Sequence, residues 1–191
     1  MPRIIPYIKY FFIRSQKISI ESIPDGSVID IGGGGEGVIA QIGNERITAV
    51  DKHQSEIDEA KPNAPKANWI LMDASALSYA DDYFDNATAF FSGMYMSVET
   101  FELVCKEVYR VLKNKGEFWI WDANISANQN LFLIRLHITL PNGKKIKTGY
   151  GTRRKNQNIS DIIQKLVEAK FHIDWTENHG KWFFMKAVKK Q

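Results

Sequence analysis

Four consecutive glycines, Gly32 to Gly35, directly follow a short apolar run, Ser27 to Ile31, and a further glycine stands at Gly37. Residues without a β-carbon let the backbone turn sharply and approach another molecule closely. A β-branched run entering such a loop reads as a buried strand. Val38, Ile39, Ala40 and Ile42 then give a brief helix closed by Gly43, and a second apolar run, Ile47 to Val50, ends at Asp51. Strand, glycine loop, helix and strand in this order form a unit that pairs its strands in parallel and gathers ligands beyond their carboxyl ends.

The alternation continues. A third strand reads from Trp69 to Met72 and ends at Asp73; a fourth runs from Asn86 to Phe91 and ends at Ser92-Gly93. Val98, Phe101, Val104, Cys105, Val108, Val111 and Leu112 recur at helical spacing, and Asn114-Lys115-Gly116 ends that helix before a fifth strand, Glu117 to Trp121. The remainder leaves the pattern. Leu133 to Leu140 and Lys144 to Tyr150 flank Pro141-Asn142-Gly143 as a β-hairpin, an insertion over residues 131–151 after strand five. A helix capped by Asn158 follows, with Asp161 at its third position, and strands near 172–176 and 181–188 close the sheet as an antiparallel edge pair.

With 191 residues, 44% of them hydrophobic, the chain is long enough for one domain over residues 1–191 with its own core. Met1, Ile4, Ile5, Ile8, Phe11 and Phe12 share one helical face, so residues 1–22 read as an N-terminal helix docked across the site. Lys9 interrupts that segment and no small-residue cleavage site follows, which speaks against a signal peptide or a membrane span. The 25 basic and 22 acidic residues leave a charge of only +3, so neither nucleic acid nor membrane is the expected partner and a small molecule is. One cysteine, Cys105, gives no disulfide framework and no metal-ligand spacing, in keeping with a cytoplasmic setting. The oligomeric state stays open.

Gly32-x-Gly34-x-x-Gly37 between strand and helix is a nucleoside- or dinucleotide-binding spacing, with Gly33 inside it. Asp51, at the end of the second strand, is placed to accept hydrogen bonds from ribose hydroxyls. A nicotinamide dinucleotide and S-adenosylmethionine (SAM) both satisfy this geometry. Asp30, two residues before the first glycine, would repel a pyrophosphate but suits a ligand carrying an ammonium and a sulfonium. Asp73 then fits the adenine amino group, with the Ala74 backbone available to a ring nitrogen; Asp73 capping the next turn is the plain alternative.

Val28-Ile-Asp-Ile-Gly-Gly-Gly-Gly-Glu-Gly37 resembles motif I of class I SAM-dependent methyltransferases. Asp51 and Asp73 match the family's ribose-binding and adenine-contacting acids, Phe84-Asp85 its approach to strand four, and Glu107 to Phe118 its helix, Lys, Gly and strand five. The resemblance spans residues 27–122. It implies a Rossmann-like, doubly wound, mostly parallel seven-stranded sheet with an antiparallel C-terminal edge strand, and SAM as cofactor with S-adenosylhomocysteine as product. The cofactor set is then Asp30, Gly32, Gly33, Gly34, Gly37, Asp51, Lys52, Asp73, Ala74 and Phe91. Two positions depart from the pattern: Glu36 stands where many members carry the third alternating glycine, and Lys52 where an apolar residue usually underlies the adenine.

Methyl transfer from a sulfonium is an in-line displacement that needs alignment and dryness, and a base only when the acceptor starts protonated. Phe91-Ser92-Gly93-Met94 lacks the Pro-Pro-Tyr signature of amino-group methylases, and Cys105 follows no proline as a cytosine C5 nucleophile would. Tyr7, Tyr10, Phe11, Met94, Tyr95 and Asp122 are the expected acceptor contacts, pointing to a small apolar or aromatic acceptor. Asp122 and His137 are the candidate bases. Two alternatives stand beside this reading: an RNA methyltransferase using the basic stretch 144–155, and a catalytically silent SAM-binding protein.

Overall fold

The structure is a computed structural model that describes residues 13–126, 130–153 and 155–190. Its centre is a seven-stranded sheet. Strands β2 (Val28–Ile31), β3 (Ile47–Asp51), β4 (Asn68–Leu71), β5 (Asn86–Phe90) and β6 (Glu117–Ala123) run parallel, and β9 (Phe171–Asn178) and β10 (Trp182–Lys189) complete it in the order β4-β3-β2-β5-β6-β10-β9. Strand β10 is antiparallel to both neighbours, so the reversed strand sits one place in from the edge, and β9 at the edge runs the same way as β6.

Alternation along each strand divides the core in two. Val28, Ile47, Ala49, Trp119, Trp121 and Trp182 face one side of the sheet, while Ile29, Ile31, Val50, Phe118, Ile120 and Phe183 face the other. Helices α3 (Val98–Val111) and α4 (Ile159–Glu168) cover the second side through Phe101, Val104, Cys105, Val108, Ile162 and Leu166. Helix α4 begins with the expected capping box, Asn158 and Asp161 each satisfying the other's backbone amide. Helices α1 (Val38–Gly43) and α2 (Gln54–Ala60) are short and follow β2 and β3.

The first side is covered by an element the sequence pattern half reveals. The expected hairpin is present as β7 (Leu131–Thr139) and β8 (Lys145–Arg153), tightened at Gly143, whose φ is +80°. A third strand, β1 (Gln16–Ser19), pairs parallel with β7, Gln16 opposite Leu136 and Ser19 opposite Thr139. This corrects the N-terminal helix over the described part of 1–22: Ile18 and Ile20, each 2% exposed, point inward while Lys17 and Ser19 point out. That two-residue alternation is a strand's, and pairing with β7 satisfies its backbone. The remainder of the expected helix, with Tyr7, Tyr10 and Phe11, lies outside the described residues. The small sheet packs Ile18, Phe132, Ile134, Leu136, Ile138 and Tyr150 into the same cluster as Val28, Phe90 and Trp121, so the hairpin is a wall of the core.

Candidate functional site

Beyond the carboxyl ends of β2, β3, β4 and β5 lies a cavity of about 560 Å³. Its floor is built by the glycine loop. Gly32 has a φ of +67°, and a β-carbon on Gly34 would come within 2.8 Å of Asp51 Oδ2 and 2.5 Å of Glu56 Cβ. Only glycine fits there. The loop amides are held from below: the N–H groups of Gly32 and Gly33 both donate to Val50 O, at 2.8 and 3.2 Å, and that of Gly35 donates to Glu56 O at 2.9 Å.

Asp51 lines the cavity and accepts from the amides of His53 (2.9 Å) and Gly34 (3.3 Å). Two backbone donors fix its carboxylate at the wall, which suits hydroxyl donors on a ligand. Asp73 also lines the cavity, and at the same time its Oδ1 accepts from the Ser75 amide (2.9 Å) and hydroxyl (2.7 Å). Those Ser75 hydrogen bonds hold its carboxyl below the usual value. It is both turn cap and wall. Lys52 and Ala74 complete this end, together with His53, Glu56 and Met72.

Asp30 takes a different place from the one expected of a ligand contact. It is 1% exposed and does not line the cavity; its carboxyl lies under the loop, 2.5 Å from where a β-carbon of Gly33 would stand, and accepts from Thr88 Oγ1 at 2.8 Å. Burial pushes it up to about 7, opposed by the Thr88 hydrogen bond and aided by the Asp51 charge. Gly33 and Gly37 likewise shape the loop without lining the cavity. Gly37, with a φ of +61°, starts α1.

The opposite end is aromatic. Phe90, Phe91, Tyr95 and Met96 come from the end of β5 and the turn after it, and Leu131, Leu133 and Gly149 to Arg153 come from the hairpin. Phe91 adopts a φ of +52°, a conformation that costs a non-glycine residue about 1–3 kcal/mol. Its amide donates to Trp121 O at 2.7 Å and its ring stacks on Tyr150, centroids 5.1 Å apart and planes 16° apart. The Tyr95 hydroxyl accepts from the Gly151 amide at 3.3 Å.

Met94 and Asp122 lie behind this wall, both buried and neither lining the cavity. Asp122 Oδ1 accepts from the Ala123 amide at 2.7 Å, while Oδ2 sits 2.5 Å from where a β-carbon of Gly93 would stand and has no hydrogen bond of good geometry among the described residues. Burial pushes its carboxyl up to about 7, against the Ala123, Gln157 and Met94 groups and the Lys155 charge, which favour the ionised form. His137 stands on the outer face of the small sheet, between Lys17 and Lys147, apart from the cavity. Neither candidate base lines this cavity.

Sequence reasoning named no individual β8 residue among the expected site contacts, neither Tyr150 nor Thr152. The signal was there in part: residues two apart in a strand share a face, so placing Tyr150 inward commits Thr148 and Thr152 as well. Among the described residues no cluster of three or more His, Cys, Asp or Glu could hold a metal ion.

Residues 29–120 match the methyltransferase domain family. Over that stretch the chain is similar to methyltransferases. The domain and its flanks share their fold with a SAM-dependent methyltransferase of Methanosarcina mazei (18% identity, 98% of each chain, TM-score 0.62). A protein of Pyrococcus horikoshii is similar over 97% of this chain and 88% of its own (16% identity, TM-score 0.65). A [4+2]-cyclase is similar over 89% of this chain and 77% of its own (18% identity, TM-score 0.64). No curated protein matches the chain. The family match ends within β6, and the likeness of fold to the Methanosarcina mazei protein covers 98% of this chain.

Proposed function

We propose that the chain transfers the sulfonium methyl of SAM to a small apolar or aromatic acceptor. The observation that carries this reading is a single cavity with the glycine loop, Asp51 and Asp73 at one end and Phe90, Phe91, Tyr95 and Tyr150 at the other. The residues present fit the cofactor: glycines allow close approach at the floor, Asp51 offers acceptors to ribose hydroxyls, and Asp73 with the Ala74 backbone faces the adenine side. When bound, SAM supplies an electrophilic methyl group on a positively charged sulfur. The protein's part is to align and to exclude water. Phe91 and Tyr150 form a stacked apolar wall, Leu131 and Leu133 extend it, and Tyr95 anchors the turn that carries it. With Asp122 and His137 away from the cavity, an acceptor whose attacking atom carries a lone pair at neutral pH suits the site best.

The basic stretch 144–155 gives less support to an RNA acceptor. Lys144 Nζ donates to Gln41 Oε1 at 2.6 Å and Lys155 Nζ to the Met96 carbonyl, so two of its cations serve the fold. Thermal denaturation with S-adenosylhomocysteine or NADH added separately tests the reading. At 100 times its dissociation constant a ligand raises stability by about 2.7 kcal/mol. S-adenosylhomocysteine is expected to raise the midpoint and NADH to leave it unchanged; the reverse ranking removes the methyltransferase assignment.

A further inference from the structure

Glu36 stands between two glycines of left-handed backbone, Gly35 at φ +69° and Gly37 at φ +61°, and it lines the cavity. Its carboxylate reaches across to β8. Oε1 accepts from the Thr148 hydroxyl and Oε2 from the Tyr150 hydroxyl at 3.0 Å. Its carbonyl accepts from Gln41 Nε2 at 2.7 Å, and Gln41 Oε1 in turn accepts from Lys144 Nζ in the turn just before β8. Two separate routes therefore join this one residue of the cofactor loop to the hairpin. The same strand carries the Tyr150 ring stacked on Phe91.

A glycine-rich loop loses much conformational freedom when it is fixed. A ligand seated on Gly34 and Asp51 would restrict that loop further, and with it the Glu36 carboxylate already hydrogen-bonded to Thr148 and Tyr150. We infer that Glu36 is a positioning residue that latches the acceptor wall to the cofactor loop, so that cofactor binding tightens β8 over the acceptor space. This rests on the cofactor reading above. Thermodynamic reciprocity makes the coupling run both ways: whatever closes β8 also favours the ordered loop. The aspect of the sequence that looked like a lapse in the glycine pattern becomes the link between the two halves of the site.

Hydrogen exchange of the full chain with and without S-adenosylhomocysteine tests the latch. In the wild type, exchange is expected to slow both in Gly32–Gly37 and across Lys145–Arg153, by about tenfold in the strand, the size of one charge-assisted hydrogen bond. Thr148→Val keeps the side-chain shape and lies outside the cavity lining. With it, as with Glu36→Gln, slowing should persist in the loop and fall below about twofold in β8, and the double variant should add little, as expected of one shared contact. Equal slowing of β8 in wild type and both variants overturns the latch, as does a wild-type strand indifferent to ligand while the loop slows. No slowing anywhere, with an unchanged denaturation midpoint, overturns the cofactor reading and the latch with it.

Discussion

Asp51 and Asp122 are both carboxylates at the carboxyl end of a sheet strand, yet their surroundings give them opposite tasks. Asp51 is held at the cavity wall by the His53 and Gly34 amides, so Asp51→Ala is expected to weaken S-adenosylhomocysteine binding by about 1.5–3 kcal/mol with an unchanged fold, read by calorimetric titration. An unaltered dissociation constant would place the ribose elsewhere. Asp122 is sealed behind the wall with its carboxyl raised from 3.8 to about 7 by burial. The folded state therefore holds this proton where the unfolded chain has released it, and its contribution to stability declines as pH rises from about 4 to about 7. Asp30 titrates in the same direction, so the informative quantity is the difference between wild type and Asp122→Asn. The variant should gain on the wild type as pH rises from about 4 to about 7 in urea denaturation; a pH-independent difference would show that Asp122 is ionised throughout.

At the scale of elements, strands and helices with one repeating pattern were legible and those whose partners lie far away were not. Helix α3 announces itself through Val98 to Leu112 at helical spacing, and Asn158 with Asp161 marks the start of α4. The glycine loop and Asp51 follow from local spacing as well. Strand β1 has only four residues, and nothing near it in the sequence says that β7 will pair with it. The burial of Asp30 was hidden for a related reason: the sequence locates it at a strand end, and the neighbouring Thr88 and the overlying Gly33 decide that its carboxyl lies beneath the loop. The hairpin was found, but its depth was not. Leu136, fully buried on the strand between β1 and β8, separates a core wall from a surface ribbon. Leu136→Ala should cost about 2–5 kcal/mol in chemical denaturation; a surface ribbon would lose within about 0.5 kcal/mol.

For the whole molecule, the two faces of the large sheet have different duties. Helices α3 and α4 seal one face with apolar side chains, Cys105 among them, its thiol pushed up to about 12 by burial. The other face is shared between the small sheet and the cavity, so that packing and ligand recognition draw on the same residues, Phe90, Phe91 and Tyr150. None of the described helices is long and apolar enough to cross a membrane. The parallel pairing of β1 with β7 also sets an order of assembly. The cofactor loop and its flanking strands, β2 and β3, are neighbours along the chain and close a short loop, whereas Gln16 must wait for Leu136. Distant contacts carry the larger closure entropy and form later. During synthesis, then, the glycine loop emerges while the opposite wall is still unmade, and the enclosure is completed only when the second arm of the hairpin has been added.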